Sequence, residues 1–386
     1  MENSIYLDNN ATTPCDPRVV EKMLPYFSEI YGNPANGYHI QGRMAAKAVD
    51  KARGQIAQLI GVQPYEIIFT GGATESNNLA IFGISRFSKD SFRNRLVTSK
   101  IEHKAVLYPC KVLKEDNKDV AFISVSSAGE INLQEMLGSI TEKTFLVSVH
   151  LANNEIGTIQ PIHEIAEHAH SVGALVHTDA AQAVGKIPVH VDELGVDLLS
   201  MSAHKLYGPK GIGALYIRGG IKAIPFAPMF YGGGQEFGLR PGTSNVTSIV
   251  GFGEAAQLCA HNLSNEISRI QRLRDEFEEL LISRIPGLVI NGKNTNRLPN
   301  TSSLTFPDVD ADALLLNLPD VMLGTGSACN SGTLEPSHVL QAIGVSREAA
   351  QSTIRASFGR FNSEEQVQIA INSIVQSYFS VLNSTL

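Results

Sequence analysis

The chain has 386 residues, 43% hydrophobic and 18% charged, with a formal net charge of -7 and a pI near 5.9. That balance excludes an extended basic surface for phosphate backbones. The absence of any run of about 18 apolar residues excludes a membrane-spanning helix. Four cysteines (Cys15, Cys110, Cys259 and Cys329), far apart and without a CxxC pair, exclude a disulfide framework and point to a reducing, cytoplasmic setting.

The opening MENSIYLDNN has neither a basic start nor an apolar run, so no secretory leader is expected. From about residue 66 to 219 short apolar runs alternate with helical patterns. EIIFT (66–70), RLVTS (95–99), VAFISV (120–125), TFLVSVHL (144–151), ALVHTDA (174–180), VDLLSMSA (196–203) and GALYIRG (213–219) read as strands. They are short, β-branched and mostly unalternated, as expected of a mainly parallel sheet covered on both faces. HKAVLYPCKVLKED and PIHEIAEHAHSVG read as helices between them, the second running from Pro161 to Gly173. Beyond Gly232–Gly234 the pattern changes. Residues 246–284 read as long helix, LVIN and SSLTF as short strands, 324–333 as a Gly/Ser-rich loop, and a terminal helix starts at Glu364. The alternation predicts an α/β layer fold. The length and the change of pattern predict two units: 15–260 as the large domain, and 1–14 with 261–386 as the small one.

Four segments place unusual residues at strand ends, where ligands sit in open α/β sheets. FTGGATESNN (69–78) puts two glycines before a helix start, which is either a phosphate seat or a plain capped turn. HTDAAQ (177–182) ends a very apolar strand on Asp179, either a structural cap or a partner for a protonated pyridine nitrogen. SAHKLYGPKGIG (202–213) sets Ser202, His204 and Lys205 at another strand end. Lys205 is either a surface lysine or a buried amine able to condense with an aldehyde. GTGSACNSG (324–332) places Cys329 among glycines and serines, where exposure makes its reactivity the issue. Cys15, Cys110 and Cys259 read as packing residues, and His163, His168 and His170 as one solvated helix face rather than metal ligands.

These segments, with YLDNNATTP, GNPAN, TSKIEHKAV, ANNEIGTIQP, RPGTSN and IRASFGRF, resemble the NifS/IscS cysteine desulfurases of the class V aminotransferase group along nearly the whole chain. The resemblance implies the type I fold of pyridoxal-phosphate enzymes, with a smaller α+β domain beside the sheet. It implies conversion of L-cysteine to L-alanine, with sulfur held as a persulfide on Cys329. It casts Lys205 as the carrier of pyridoxal 5'-phosphate and His103 as the histidine that stacks on its ring and assists proton transfer. Asp179 would pair with the ring nitrogen and Gln182 with the ring hydroxyl. Ala73, Thr74, Ser202 and His204 would hold the phosphate, and Thr243 would reach the phosphate of a neighbouring subunit in a homodimer. Asn154 and Arg355 would clamp the substrate carboxylate.

Glycines 324, 326 and 332 are expected to let the Cys329 loop swing, with several conformations around 325–334. The acceptor is expected to be a protein serving iron–sulfur assembly or thiolation of tRNA or DNA, with no direct contact to nucleic acid or membrane. The chain stops soon after its terminal helix, which puts a partnership through the longer tail of the housekeeping IscS proteins in doubt. GSACNSG replaces the family's GSACTS. A selenocysteine lyase, or another enzyme of the class V group, is the nearest alternative. A nicotinamide oxidoreductase lacks its glycine fingerprint here.

Overall fold

The structure, a computed structural model, describes residues 4–87, 92–325 and 336–385. Its centre is a seven-stranded sheet. In spatial order the strands are Ile67–Thr70, Gly213–Ile217, Leu198–Ser202, Leu175–Asp179, Thr144–Ser148, Arg95–Ser99 and Asp119–Ile123. The five strands from Leu198–Ser202 to Asp119–Ile123 run parallel, while Gly213–Ile217 is antiparallel to both of its neighbours. This is the mainly parallel sheet of the type I fold, with that one reversed strand near its edge.

Successive residues along the strands go to opposite faces, and both faces are dry. Phe69, Val97, Val147 and Leu199 pack with the helices Ile40–Ile60, Ile162–Ser171 and the first half of Val246–Arg284. Their neighbours Ile68, Leu96, Leu146 and Leu198 pack on Ala73–Phe87 and Lys104–Glu115. Burial on both sides explains why these strands read as unbroken apolar runs. The strand predicted at 120–125 lies at Asp119–Ile123, shifted toward the Asp119 carboxylate that pairs with Arg95 at 2.7 Å.

A second apolar cluster gathers around a four-stranded sheet ordered Gly324–Thr325, Thr353–Ser357, Thr301–Thr305, Val289–Asn291. Ile5 and Leu7 from the start of the chain and the terminal helix Glu364–Thr385 cover it. The helix Val246–Arg284 belongs to both clusters: Phe252, Ala255 and Cys259 serve the first, Ile270, Leu273, Phe277 and Leu281 the second. Among the described residues no helix is long and apolar enough to cross a membrane.

Candidate active site

The carboxyl ends of the central strands and the edge of the smaller sheet enclose a cavity of about 940 Å³. Of the residues singled out from sequence, Ala73, Thr74, His103, Asn154, Asp179, Gln182, Ser202, His204, Lys205 and Arg355 all line it. Thr243 does not; it is exposed in the loop before the long helix. Cys329, and the conformations expected around 325–334, lie outside the described residues apart from Thr325, which borders the cavity.

One end of the cavity is built for an anion. The Ile67–Thr70 strand stops at Gly71–Gly72, and the helix Ala73–Phe87 begins at once. Its first-turn amides have no intrahelical partners, and the helix end carries partial positive charge. Gly72 adopts φ +149, and a Cβ on Gly213 would stand 2.6 Å from the Gly72 Cα, so two backbones meet there with no room for a side chain. Beside it, His204 meets the Thr12 hydroxyl at 3.1 Å. Its pKa falls to about 4 because burial, and then the Lys205, Lys210 and Lys186 cations, oppose protonation.

The other end has the polarity of a pyridine site. Asp179 ends its strand with Oδ2 accepting from Asn77 Nδ2 at 2.6 Å and Oδ1 accepting from the Ala181 amide at 3.0 Å. His103 caps the Lys104–Glu115 helix, its Nδ1 accepting from the Ala105 amide at 3.1 Å. The proton of the neutral ring therefore sits on Nε2. Burial lowers its pKa, with the Asp179 charge as the main opposing influence. Behind it, burial would lower His150, but the Glu102 carboxylate, 3.1 Å from Nδ1, prevails and raises it.

Lys205 follows the Leu198–Ser202 strand in a short turn, and its Nζ donates to the carbonyls of Asn10 (2.5 Å) and Ala11 (2.8 Å). Arg355 Nη1 donates to Asn154 O at 3.0 Å, and Nη2 pairs with Asp8 at 2.7 Å. Gln182 Nε2 donates to Asn10 O at 3.0 Å. Asn10 stands at the crossing of these bonds. Sequence reasoning quoted it within YLDNNATTP but gave it no role; nor did it give one to Asp8, Asn77 or His150.

The cavity fits pyridoxal 5'-phosphate. Among the described residues, Asn77 Oδ1, His150 Nε2 and Arg355 Nε are buried polar atoms without a partner, and all three residues line this cavity. Buried polar atoms are almost always paired, so their concentration here marks a site completed by a ligand. An anion seat, a buried carboxylate and an amine around one apolar-walled space match a phosphate, a pyridinium nitrogen and an aldehyde.

The other expectations divide. Cys110 and Cys259 are buried thiols whose pKa burial pushes up, Cys259 to about 11, while Cys15 is half-buried. His163 is exposed, but His170 departs from a purely solvated face: its Nε2 meets Asp197 at 2.9 Å. No group of three potential metal ligands occurs among the described residues.

Fold and site together define a pyridoxal-phosphate enzyme of the type I class. The aminotransferase class-V model matches residues 5–369. A mitosomal cysteine desulfurase of Encephalitozoon cuniculi is 44% identical over 97% of this chain and 86% of its own. A solved NifS-like protein is 39% identical with a TM-score of 0.89, covering 97% of this chain and 98% of its own. A structure described as SspA in complex with cysteine is 38% identical with a TM-score of 0.82, covering 93% and 99%. The chain belongs to the aminotransferase class-V family and, within it, to the cysteine desulfurases.

Proposed function

We infer that the chain removes sulfur from L-cysteine, releases L-alanine and passes the sulfur on through Cys329. The observation that carries this reading is the assembly of Lys205, Asp179, His103 and Arg355 around one cavity whose remaining buried polar atoms lack partners. Ala73, Thr74, Ser202 and His204 would hold the phosphate, Asp179 the ring nitrogen, Gln182 the ring hydroxyl and Lys205 the aldehyde. Bound there, the cofactor supplies an electron sink for the substrate carbon.

The chain's own groups do the rest. Arg355, whose Nε is unpaired, and Asn154 beside it are the groups in the cavity wall suited to the substrate carboxylate. The Lys205 amine moves the α-proton, and the neutral His103 ring covers the cofactor and relays protons at Nε2. The Cys329 thiolate attacks the substrate sulfur. The new S–S bond forms as the substrate C–S bond breaks, the carbon takes a proton, and the products are alanine and a Cys329 persulfide.

The small unit, in this reading 1–14 with 261–386, brings Arg355 to the central sheet and carries Cys329 in its sequence. The switch of the long helix from one core to the other between Cys259 and Ile270 supports that boundary. A homodimer in which Thr243 serves the neighbouring phosphate is supported by exposed Thr243 and by exposed Tyr38, Phe230 and Tyr231, Phe230 being at the cavity rim. The sulfur acceptor is a protein of iron–sulfur assembly or of tRNA or DNA thiolation, and the unpaired cysteines suit a reducing compartment such as the cytoplasm.

The test uses purified enzyme with L-cysteine and a thiol reductant. Wild type makes alanine and sulfide in equal amounts. Lys205→Ala loses the cofactor's visible band and all turnover. Cys329→Ala keeps the band and loses the persulfide. Full sulfide transfer by Cys329→Ala to a protein acceptor would remove Cys329 from the mechanism, and a preference for selenocysteine that survives it would turn the reading toward a selenocysteine lyase.

A further inference from the structure

Lys186 lies four residues after Gln182 and is not part of the cavity wall; it stands behind it, lining a crevice of about 20 Å³. The residue keeps some exposure along its stem, but its amine is enclosed. Nζ donates to Gln182 Oε1 at 2.6 Å and to Asn10 Oδ1 at 2.8 Å. The charged groups that act on it most are Lys205 and Arg355, both cations. Burial and these two charges hold its pKa well below that of an ordinary lysine. A lysine so placed is costly unless its donors are put to use.

Their use is visible in the bonds. A carboxamide has one accepting and one donating end of nearly the same shape, and a neighbour that donates to its oxygen decides which way it faces. Lys186 donates to the oxygens of both Gln182 and Asn10, sharing the second with Asn300 Nδ2 at 3.0 Å. Gln182 must then turn Nε2 to the cavity side, where it meets Asn10 O at 3.0 Å. Asn10 must turn Nδ2 to Asn154 O (3.1 Å) and Thr301 Oγ1 (2.8 Å). Asn10 O is also the acceptor that holds Lys205 Nζ.

We propose that Lys186 is a positioning residue that fixes the amide orientation of Gln182 and Asn10, so that Gln182 offers the cofactor ring a donor and Asn10 keeps Lys205 and the Asn154 segment in place. This rests on the functional reading above. The test measures pyridoxal 5'-phosphate affinity of the full-length apoenzyme by fluorescence titration, a readout independent of turnover. Lys186→Met takes the donor from Gln182 Oε1, while Asn10 Oδ1 keeps Asn300 Nδ2 at 3.0 Å, and binds about tenfold more weakly. Gln182→Ala also weakens binding, and the double variant binds within about twofold of Gln182→Ala alone, because both changes remove one interaction. Lys186→Gln, which keeps an N–H donor, serves in place of Lys186→Met should that variant not fold. Affinity of Lys186→Met within twofold of wild type, or penalties that multiply in the double variant, overturns the proposal alone; a wild-type chain that takes up no cofactor overturns the functional reading with it.

Discussion

A methyl group on Gly324 should damage the substrate site by displacing Arg355, leaving Lys205, His103 and Asp179 untouched. Gly324 pairs across the small sheet with Arg355, and its backbone φ is not in the left-handed region, so alanine meets no backbone strain there. The obstacle is space. The added Cβ would lie 2.6 Å from Asp8 Oδ1 and 2.9 Å from Arg355 Nη2, inside the 2.7 Å ion pair those atoms form. Both partners are confined, Arg355 being 6% exposed, so the pair must shift as a unit. Overpacking of this kind costs about 1–3 kcal/mol, and loss of the charged bond from Nη1 to Asn154 O would add about 1.5–3 kcal/mol. If the first of these falls on substrate binding, kcat/KM for L-cysteine drops by roughly 5- to 150-fold, mainly through KM. Alanine formation against cysteine concentration reads the split, and affinity for added L-alanine, followed by the cofactor's visible spectrum, reads the carboxylate clamp directly. Gly54→Ala is the control: its Cβ meets nothing within 4 Å, and it lies in a helix, where alanine is favoured by up to about 1 kcal/mol. An unchanged KM and an unchanged melting temperature in Gly324→Ala would refute the claim that this glycine exists to admit the Asp8–Arg355 pair.

Other consequences follow from the same coordinates. Asp179→Asn keeps the shape and the acceptor facing Asn77 but loses the charge; cofactor should still bind while kcat falls by about a hundredfold or more, measured as alanine release. Glu155 is buried, and burial raises its pKa from 4.5 to about 7, against the Ser337 hydroxyl bond and the more distant Arg355 and Lys104 charges, which lower it. The folded state therefore prefers the protonated acid: this contribution to stability is complete below about pH 4.5 and lost as pH rises through about 7. Glu155→Gln should remove that loss, stabilising the protein relative to wild type by up to ~3 kcal/mol above pH 7 and by nothing near pH 4, as read from denaturant unfolding at each pH. Arg360 stacks 4.3 Å over the Tyr207 ring and pairs with Asp16 and Glu266 while nearly buried, so Arg360→Leu strands Glu266, Asp16 keeping Arg18 at 2.7 Å, and should cost about 3 kcal/mol, seen as a melting temperature several degrees lower.

The strands were legible because burial on both faces writes itself as β-branched runs, and the catalytic segments because they interrupt those runs with polar residues at strand ends. The reversed direction of Gly213–Ile217 was not read from the sequence, although the short connection before it carries a signal. Only ten residues separate Ser202 from Gly213, too few for a comfortable crossover between parallel strands. What periodicity could not reveal was the hydrogen-bonded interior. Nothing local to YLDNNATTP says that Asn10 will be met by Lys186 from 176 residues away and by Asn300 from 290. Gly324 shows the same limit in reverse. Its place in a Gly/Ser loop suggested freedom of motion, whereas the structure puts it in a paired strand where a side chain cannot fit.

The segment Asp8–Thr13 explains why the site depends on both cores at once. Asp8 pairs with Arg355 and bridges Ser357 of the small sheet. Asn10 bonds Ser357 and Thr301 on that side, and accepts from Lys205, Lys186 and Gln182 on the other. Thr12 and Thr13 then meet His204 at its ring and carbonyl. Six residues outside the regular helices and strands thus bond to both sheets. A displacement of the small sheet must move Asn10, and with it the acceptor of the Lys205 amine, so the proposed carboxylate clamp at Arg355 and the proposed cofactor amine of Lys205 are set by one mechanical connection rather than by two independent ones.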